Sequence, residues 1–438
     1  MGHLAGLSDE HKKLIKRLEA GQTALPEPKE EESKKGWKEI LEILFSPDEA
    51  WLVSKMPNMP SKIEAIAKRT KLSPEQLMPR LNALADKGIV MDLVNPRTGK
   101  ALYLVAPSVV GFIEFSLMRI SDSIPKKKMS YALDRYMHGD PTFAEEVFGT
   151  DTVIGRTLVQ ETALEDDQLP DILSWERSTE LIKKARKIAV SNCYCRHKAE
   201  HLGKKCDSPL ETCLTLNSGA HYIIERKFGR EISREEAMKI LEDSRDSGLV
   251  QIADNVMNRP TYICNCCSCC CGQLQAINEY DLMAVNPSNY QASVVSEDCR
   301  GCSRCARACP VGAISMVPSP QVANRKNGLL PDINTDRCIG CGICVSACGS
   351  NNAMKMITRK TRPYVSKNSI ERSIRMALEK GRLAHLLFDQ GSGLGSKFLN
   401  RLILGICALP KVDKIIASEQ VKSRFVKFAL KKIRIPGM

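Results

Sequence analysis

Six of the eight residues from Cys264 to Cys271, in the stretch YICNCCSCCCG, are cysteine. Upstream, Cys193, Cys195, Cys206 and Cys213 form C-x-C-x10-C-x6-C. Downstream, Cys299, Cys302, Cys305 and Cys309 form C-x2-C-x2-C-x3-C, and Cys338, Cys341, Cys344 and Cys348 repeat it. Thiols at this density, 19 in 438 residues, serve either a disulfide framework or soft metal. The opening residues, MGHLAGLSDEHKKLIKRLEAG, carry neither an apolar export core nor a small-residue cleavage site. The expectation is therefore a reducing compartment, in which thiolates bind metal rather than pair with one another.

The paired runs have a geometric reason. Gaps of two residues let a tight loop place three sulfurs on three irons of one cube, and the fourth iron takes a ligand from elsewhere. Zinc, the alternative, takes four ligands from two more widely separated C-x2-C halves. The repeat resembles the bacterial dicluster ferredoxin module, in which the last cysteine of each run serves the other cluster. That resemblance implies that Cys299, Cys302, Cys305 and Cys348 hold one [4Fe–4S] cubane, and Cys338, Cys341, Cys344 and Cys309 the second. Pro310 after Cys309 matches the module, whereas Gly349 after Cys348 departs from it. Ile314, Ile339, Ile343 and Val345 are the expected dry wall.

Ten cysteines remain: Cys193, Cys195, Cys206, Cys213, Cys264, Cys266, Cys267, Cys269, Cys270 and Cys271. Unmetallated, such neighbours repel as thiolates. Four per cubane allows two clusters with two thiols over, and a single larger cluster would use more than four. One or two further Fe–S clusters are expected, with zinc or copper storage as the alternative. The ending CCCG resembles the CCG motif of the heterodisulfide-reductase catalytic subunit, but the long-range spacing of that motif is missing, so thiol–disulfide chemistry is not supported. Arg196, His197, His201 and His221 are candidate hydrogen-bond donors to cluster sulfur, with His197 an alternative ligand. Cys407, alone in LILGICALP, reads as a core thiol.

The whole layout resembles iron–sulfur proteins of anaerobes that act as electron-transfer subunits beside flavin or metal oxidoreductases. The chain has no G-x-G-x-x-G after a strand and no G-x4-G-K-[ST], so a flavin would sit on a partner. It has no apolar run of about 20 residues that would span a bilayer.

The elements that must position these thiols fall into five expected segments of an α+β multidomain chain. Residues 1–35 read as a helix with Ser8 as N-cap, followed by the solvated tether PEPKEEESKK. Residues 36–120 read as three helices and a hairpin turning at Asn95-Pro96-Arg97-Thr98-Gly99, which resembles a winged helix-turn-helix domain. Its third helix starts with Ser73 as N-cap and Pro74 at the first position, and ends at Gly88. The charges of Glu75, Arg80, Asp86 and Lys87 cancel there, and Gln76, Arg80 and Asn82 offer little to bases. Protein docking is expected of it rather than DNA binding, and Arg97 and Lys100 in the loop read as solubility groups.

Residues 121–290 read as a mainly α Cys-rich domain. A helix capped by Ser233 lies between the two cysteine groups, and the hairpin they flank lets them meet. Residues 291–360 are the dicluster unit, and 361–438 a helical basic tail. The net charge of +13 comes entirely from Arg359 onward. Val421, Phe425, Phe428 and Ile433 alternate there with Lys422, Arg424, Lys427, Lys431, Lys432 and Arg434. Such a helix docks on protein or lies on an anionic membrane. The function expected is a cytoplasmic, multi-cluster relay of electrons to or from a partner oxidoreductase. The alternatives are a reductase acting at the 193–271 cysteines, and a redox-responsive winged-helix regulator of DNA.

Overall fold

The computed structural model describes residues 7–19, 24–57, 59–94, 98–119, 124–165, 173–320, 328–349 and 352–382. The basic tail helix, Cys407 and the turn residues Asn95, Pro96 and Arg97 lie outside the described residues.

The N-terminal part holds α1 (Asp9–Glu19), α2 (Glu31–Leu44), α3 (Pro47–Lys55), α4 (Ile63–Thr70), α5 (Pro74–Asp86) and the antiparallel hairpin β1 (Val90–Val94) and β2 (Ala101–Val105). The helical pattern from Trp37 to Met56 breaks at Ser46-Pro47. There the Ser46 hydroxyl accepts the Glu49 N–H and the Glu49 carboxylate accepts the Ser46 N–H. Ser73, Pro74 and Gln76 repeat this device at α5. Ser61 pairs with Tyr103 through two backbone bonds of 2.9 and 2.8 Å, which adds a short third strand to the hairpin.

The expected tether PEPKEEESKK is instead held in place. The Asp140 carboxylate accepts the N–H groups of Lys29 (2.7 Å) and Glu30 (3.0 Å), and α2 starts at once. A carboxylate more than a hundred residues away caps this helix, so local composition carried no sign of it. Next come α6 (Ile113–Met118), α7 (Lys126–His138) and α8 (Thr142–Phe148). α2 packs on α7 through Gly36, where a Cβ would meet the carbonyl of Ala132.

The middle of the chain departs most from expectation. It is built on a seven-stranded sheet rather than being mainly helical. The strands are β3 (Gly155–Thr157), β4 (Ile188–Asn192), β5 (Glu211–Leu216), β6 (Arg230–Glu231), β7 (Val250–Asp254), β8 (Tyr262–Cys266) and β9 (Val285–Asn286). Their order is β6-β4-β5-β8-β7-β3-β9, antiparallel throughout except for the parallel β3–β9 pair. The reason is burial. All five residues of β4 (IAVSN) and of β7 (VQIAD) are buried, so neither shows the alternation of a one-sided strand. The helices α9 (Ser178–Lys184), α10 (Tyr194–His201), α11 (Asn217–Glu225), α12 (Arg234–Asp246) and α13 (Gly272–Tyr280) pack around this sheet. Ser233 caps α12 as read, accepting the Glu236 N–H at 3.1 Å.

The repeated cysteine runs give repeated units. β10 (Tyr290–Val294) and α14 (Arg304–Ala308) are followed by β11 (Ile314–Pro318). Then come β12 (Leu329–Ile333), α15 (Ile343–Cys348) and β13 (Met354–Thr358). β10 pairs with β13 and β11 with β12, both antiparallel. α16 (Ser369–Glu379) returns to the middle sheet, where Arg372 pairs with the buried Asp254.

A large apolar cluster runs from Leu7 to Met376 through all these parts, and a second, around Ile182, Val190, Leu214 and Leu241, packs α9 and α12 on the middle sheet. Helix α5, the helix read from sequence as the third of the winged-helix-like unit, is engaged within the chain. From the end of α11, Arg226 bonds Asp86 (2.8 Å), Asn82 (3.1 Å) and Asp92, while the Tyr222 hydroxyl donates to the carbonyl of Val90 (3.1 Å). Arg226→Ala leaves two carboxylates without their cation. It is expected to lower unfolding free energy by about 2 kcal/mol, with iron content unchanged, as read by anaerobic chemical denaturation and metal analysis.

Candidate metal centres

In the dicluster unit the loops between cysteines curl through left-handed backbone. Gly301, Ser303, Gly340 and Gly342 all have positive φ, from 62 to 88°. A Cβ on Gly340 would strike the carbonyl of Tyr290, so the loop closes tightly on β10. Backbone N–H groups already face sulfur: Gly301 to Cys299 Sγ at 3.4 Å, and Ala313 to Cys309 Sγ at 3.2 Å. Cys309 lines one small apolar cavity together with Cys338, Cys341 and Cys344, walled by Ile314 and Ile339. Burial pushes the Cys341 thiol up to about 12, with Cys309 and Cys338 adding to the effect. Burial also raises Cys305, and its thiol neighbours are Cys299, Cys348 and Cys302. Each group thus draws three sulfurs from its own run and one from the other. Burial favours the protonated form of Cys305, Cys341 and Cys344, and metal must displace those protons.

The ten middle cysteines separate into two sets on either side of β8. Cys264 and Cys266 share one face of that strand, two residues apart. The β5–β8 register, Leu214 opposite Ile263, sets Cys213 beside Cys264. Cys193 and Cys271 sit at the N-caps of α10 and α13. Sulfur contacts link the six as a series, Cys193–Cys195–Cys271–Cys266–Cys264–Cys213. The second set is Cys206, Cys267, Cys269 and Cys270, whose sulfurs all lie within 4.8 Å of one another. Cys267 is lowered to about 4, chiefly because Cys270 donates to it, while burial raises Cys269 to about 11. In the six-thiol set Cys271 falls to about 5 through hydrogen bonds from Cys195 and Cys266.

Arg196 stands between the two sets. It is fully buried, and its Nη1 lies 3.0 Å from the Asn265 carbonyl and 3.8 Å from Cys267 Sγ. Burial opposes its charge, but the neighbouring Cys193, Cys267 and Cys266 hold it protonated. The expected histidines go elsewhere. His197 Nδ1 meets the Leu117 carbonyl at 2.6 Å and its ring stacks on His201, while His221 is exposed beside Glu225.

The six-thiol set lines a cavity of about 230 Å³. Met91, Phe115, Met137, Phe143 and Phe148 supply apolar wall. Glu114 also lines it, accepting the Gly111 N–H at 2.9 Å, and burial pushes its carboxyl up to about 7. Three residues of this lining, Asn265, Gln273 and Gln275, have side-chain amide oxygens buried without a hydrogen-bond partner in the protein. The exposed side carries His138, bonded to Glu279 at 2.9 Å and to Lys198 at 3.2 Å. Neither Glu114 nor His138 was singled out from sequence. A lone acid inside the apolar run SVVGFIEFSLM was the available signal for Glu114.

Residues 298–355 match the family model of the 4Fe-4S dicluster domain, a minority of the chain. Over 91 residues the chain is 32% identical to an uncharacterized polyferredoxin-like protein of Methanocaldococcus jannaschii. That stretch is 20% of this chain and 54% of the relative, so the chain spans about half the length of the curated protein it matches. No solved structure matches. Among the described residues no helix is long and apolar enough to cross a membrane. The match, the repeated cysteine runs and the cysteine-lined cavity make residues 298–355 a 4Fe–4S dicluster domain.

Proposed function

We propose that the chain is a multi-cluster electron-transfer protein, relaying single electrons to or from a partner oxidoreductase. The observation that carries this is the crossing of ligands in the dicluster domain: Cys309 of the first run faces the same cavity as Cys338, Cys341 and Cys344. The residues fit two cubanes, with Cys299, Cys302, Cys305 and Cys348 as the other ligand set. Bound there, cubanes supply one-electron storage. The chain's own part is to hold the sulfurs rigid, exclude water with Ile314, Ile339 and Ile343, and aim the N–H groups of Gly301 and Ala313 at sulfur. The six-thiol set supports a further cluster on the same chain.

The N-terminal helices and hairpin are read as a winged-helix-like unit used as an internal bracket. Its Asn82 and Arg80 are spent on Arg226 and Asp48, which leaves a DNA-reading role without support. A flavoprotein is the class of partner favoured. The basic tail is the segment offered to an acidic partner surface, with an anionic membrane face as the alternative.

A second reading is favoured by the cavity. A small, uncharged molecule beside the six-thiol set would meet apolar walls, the Gln273 oxygen, and the Glu114 carboxyl as proton source. This would be a reductase fed by the dicluster domain.

Iron and sulfide counts with an EPR redox titration on anaerobically purified protein test the relay. Two cubanes account for about 8 Fe, and iron above that number belongs to the middle cysteines. Cys309→Ser is expected to remove or convert the signal of one cubane and spare the other. Absence of any reversible one-electron signal would sink the relay reading. Carbon monoxide separates the two readings: altered EPR of the middle iron, lost in the cavity-filling Ala276→Phe, favours the reductase, and no change favours a plain relay.

Glu114 makes a separate prediction. Burial lifts its carboxyl from the ordinary glutamate value of 4.5 to about 7 in the folded chain. Its contribution to stability is therefore complete below 4.5 and is lost as pH rises through 7. Denaturation midpoints are expected to fall across that interval, and Glu114→Gln to flatten the slope.

A further inference from the structure

The ten middle cysteines do not form one pool, and the two sets differ in how closely their sulfurs approach. In a tetrahedral thiolate site each metal–sulfur bond is about 2.3 Å, so the sulfurs stand about 3.8 Å apart. Cys206 Sγ lies 3.7 Å from Cys267 Sγ, Cys269 Sγ lies 3.6 Å from Cys270 Sγ, and all four fall within 4.8 Å. Four thiolates on four separate irons of a cubane must stand much further apart than this. The dicluster cysteines provide the comparison inside the same chain. Among the described residues, Cys206, Cys267, Cys269 and Cys270 form the group of three or more ligand side chains that closes around a single ion.

We infer that these four cysteines hold one tetrahedral divalent metal ion, zinc or mononuclear iron, rather than an iron–sulfur cluster. The donor set suits such an ion: four soft thiolates and no carboxylate. Its surroundings suit it as well. Four thiolates on a dication leave two negative charges, and the buried Arg196 guanidinium lies against Cys267 Sγ. Two backbone carbonyls of the turn are already tied down. The Cys271 N–H donates to the Cys267 carbonyl at 3.1 Å, and Gln275 Nε2 donates to the Cys269 carbonyl at 3.0 Å.

The ion has a definite task in this fold. Cys206 lies in the irregular segment between α10 and β5, whereas Cys267, Cys269 and Cys270 lie in the turn between β8 and α13. One ion fastens the first to the second. That turn begins after Cys266 and ends at Cys271, both members of the six-thiol set. The ion would thus be a structural clamp that fixes the mouth of the neighbouring centre, and it takes no part in electron transfer when it is zinc.

The test is metal and acid-labile sulfide analysis of the full chain purified without oxygen, for wild type and Cys206→Ser. X-ray absorption at the zinc and iron edges is recorded on wild type alone, so the result stands even where the variant folds poorly. The expected result is an ion with four sulfurs at about 2.3 Å and no metal neighbour. In Cys206→Ser about one equivalent of metal is lost with sulfide unchanged. Loss of zinc and loss of iron identify which ion it is. Loss of about four irons together with sulfide, or no change in any metal, overturns the inference. Either of those outcomes leaves the dicluster relay standing, because its irons and sulfide belong to Cys299–Cys348.

Discussion

Like charges confined in a dry interior are the constraint on which this fold rests. At an effective dielectric of about 20, two charges 4 Å apart repel by about 4 kcal/mol, and the chain sets six middle thiols, buried or half-buried, in contact as a series. Protonation relieves the repulsion only where a thiol keeps its proton, and Cys267 and Cys271 are driven the other way, to about 4 and 5. Metal is the remaining source of positive charge besides Arg196. Folding of the middle domain and loading of its metals are therefore one linked equilibrium.

The sheet is how the chain meets that constraint. β8 alternates Cys264 and Cys266 to one side and Asn265 to the other, and then ends in the turn that carries Cys267, Cys269 and Cys270. One strand and one turn thereby serve two sites of different geometry, with the Arg196 side chain between them. Arg196 contacts Cys267 of one set directly and reaches Cys193 and Cys266 of the other through its charge. This double role explains why α10 must start where it does. Cys193 at its N-cap and Arg196 one turn later lie on the same helix end, so moving either would break both sites.

What could be read from the residues follows the range of the interactions. The dicluster domain was legible because its ligands are spaced by two or three residues, a range in which loop geometry alone dictates where sulfurs point. The caps at Ser73 and Ser233 were legible for the same reason. The division of the ten middle cysteines was not, because it depends on the pairing of β5 with β8 across about 50 residues of chain and on the two-residue period of a strand within a segment read as mainly helical. Strands buried on both faces hid the sheet itself, since β4 and β7 show no alternation. The pinning of Lys29 and Glu30 by Asp140 was invisible for a related reason: the capping group is remote in sequence.

The same geometry bears on whether the six-thiol set only passes electrons. A pure relay gains from solid apolar packing around every cluster, as Ile314 and Ile339 provide in the dicluster domain. The six thiols likewise line a cavity, the space in which their own cluster would sit, but a carboxyl that burial makes costly to ionise lies there as well. The middle domain also leaves the Gln273 oxygen buried there without a partner, a cost of about 1–3 kcal/mol. A fold that already spends stability on crowding thiols has no structural need for these further costs. These polar groups are what the reductase reading proposed above would use, whereas the relay reading calls only on the thiols and their apolar wall.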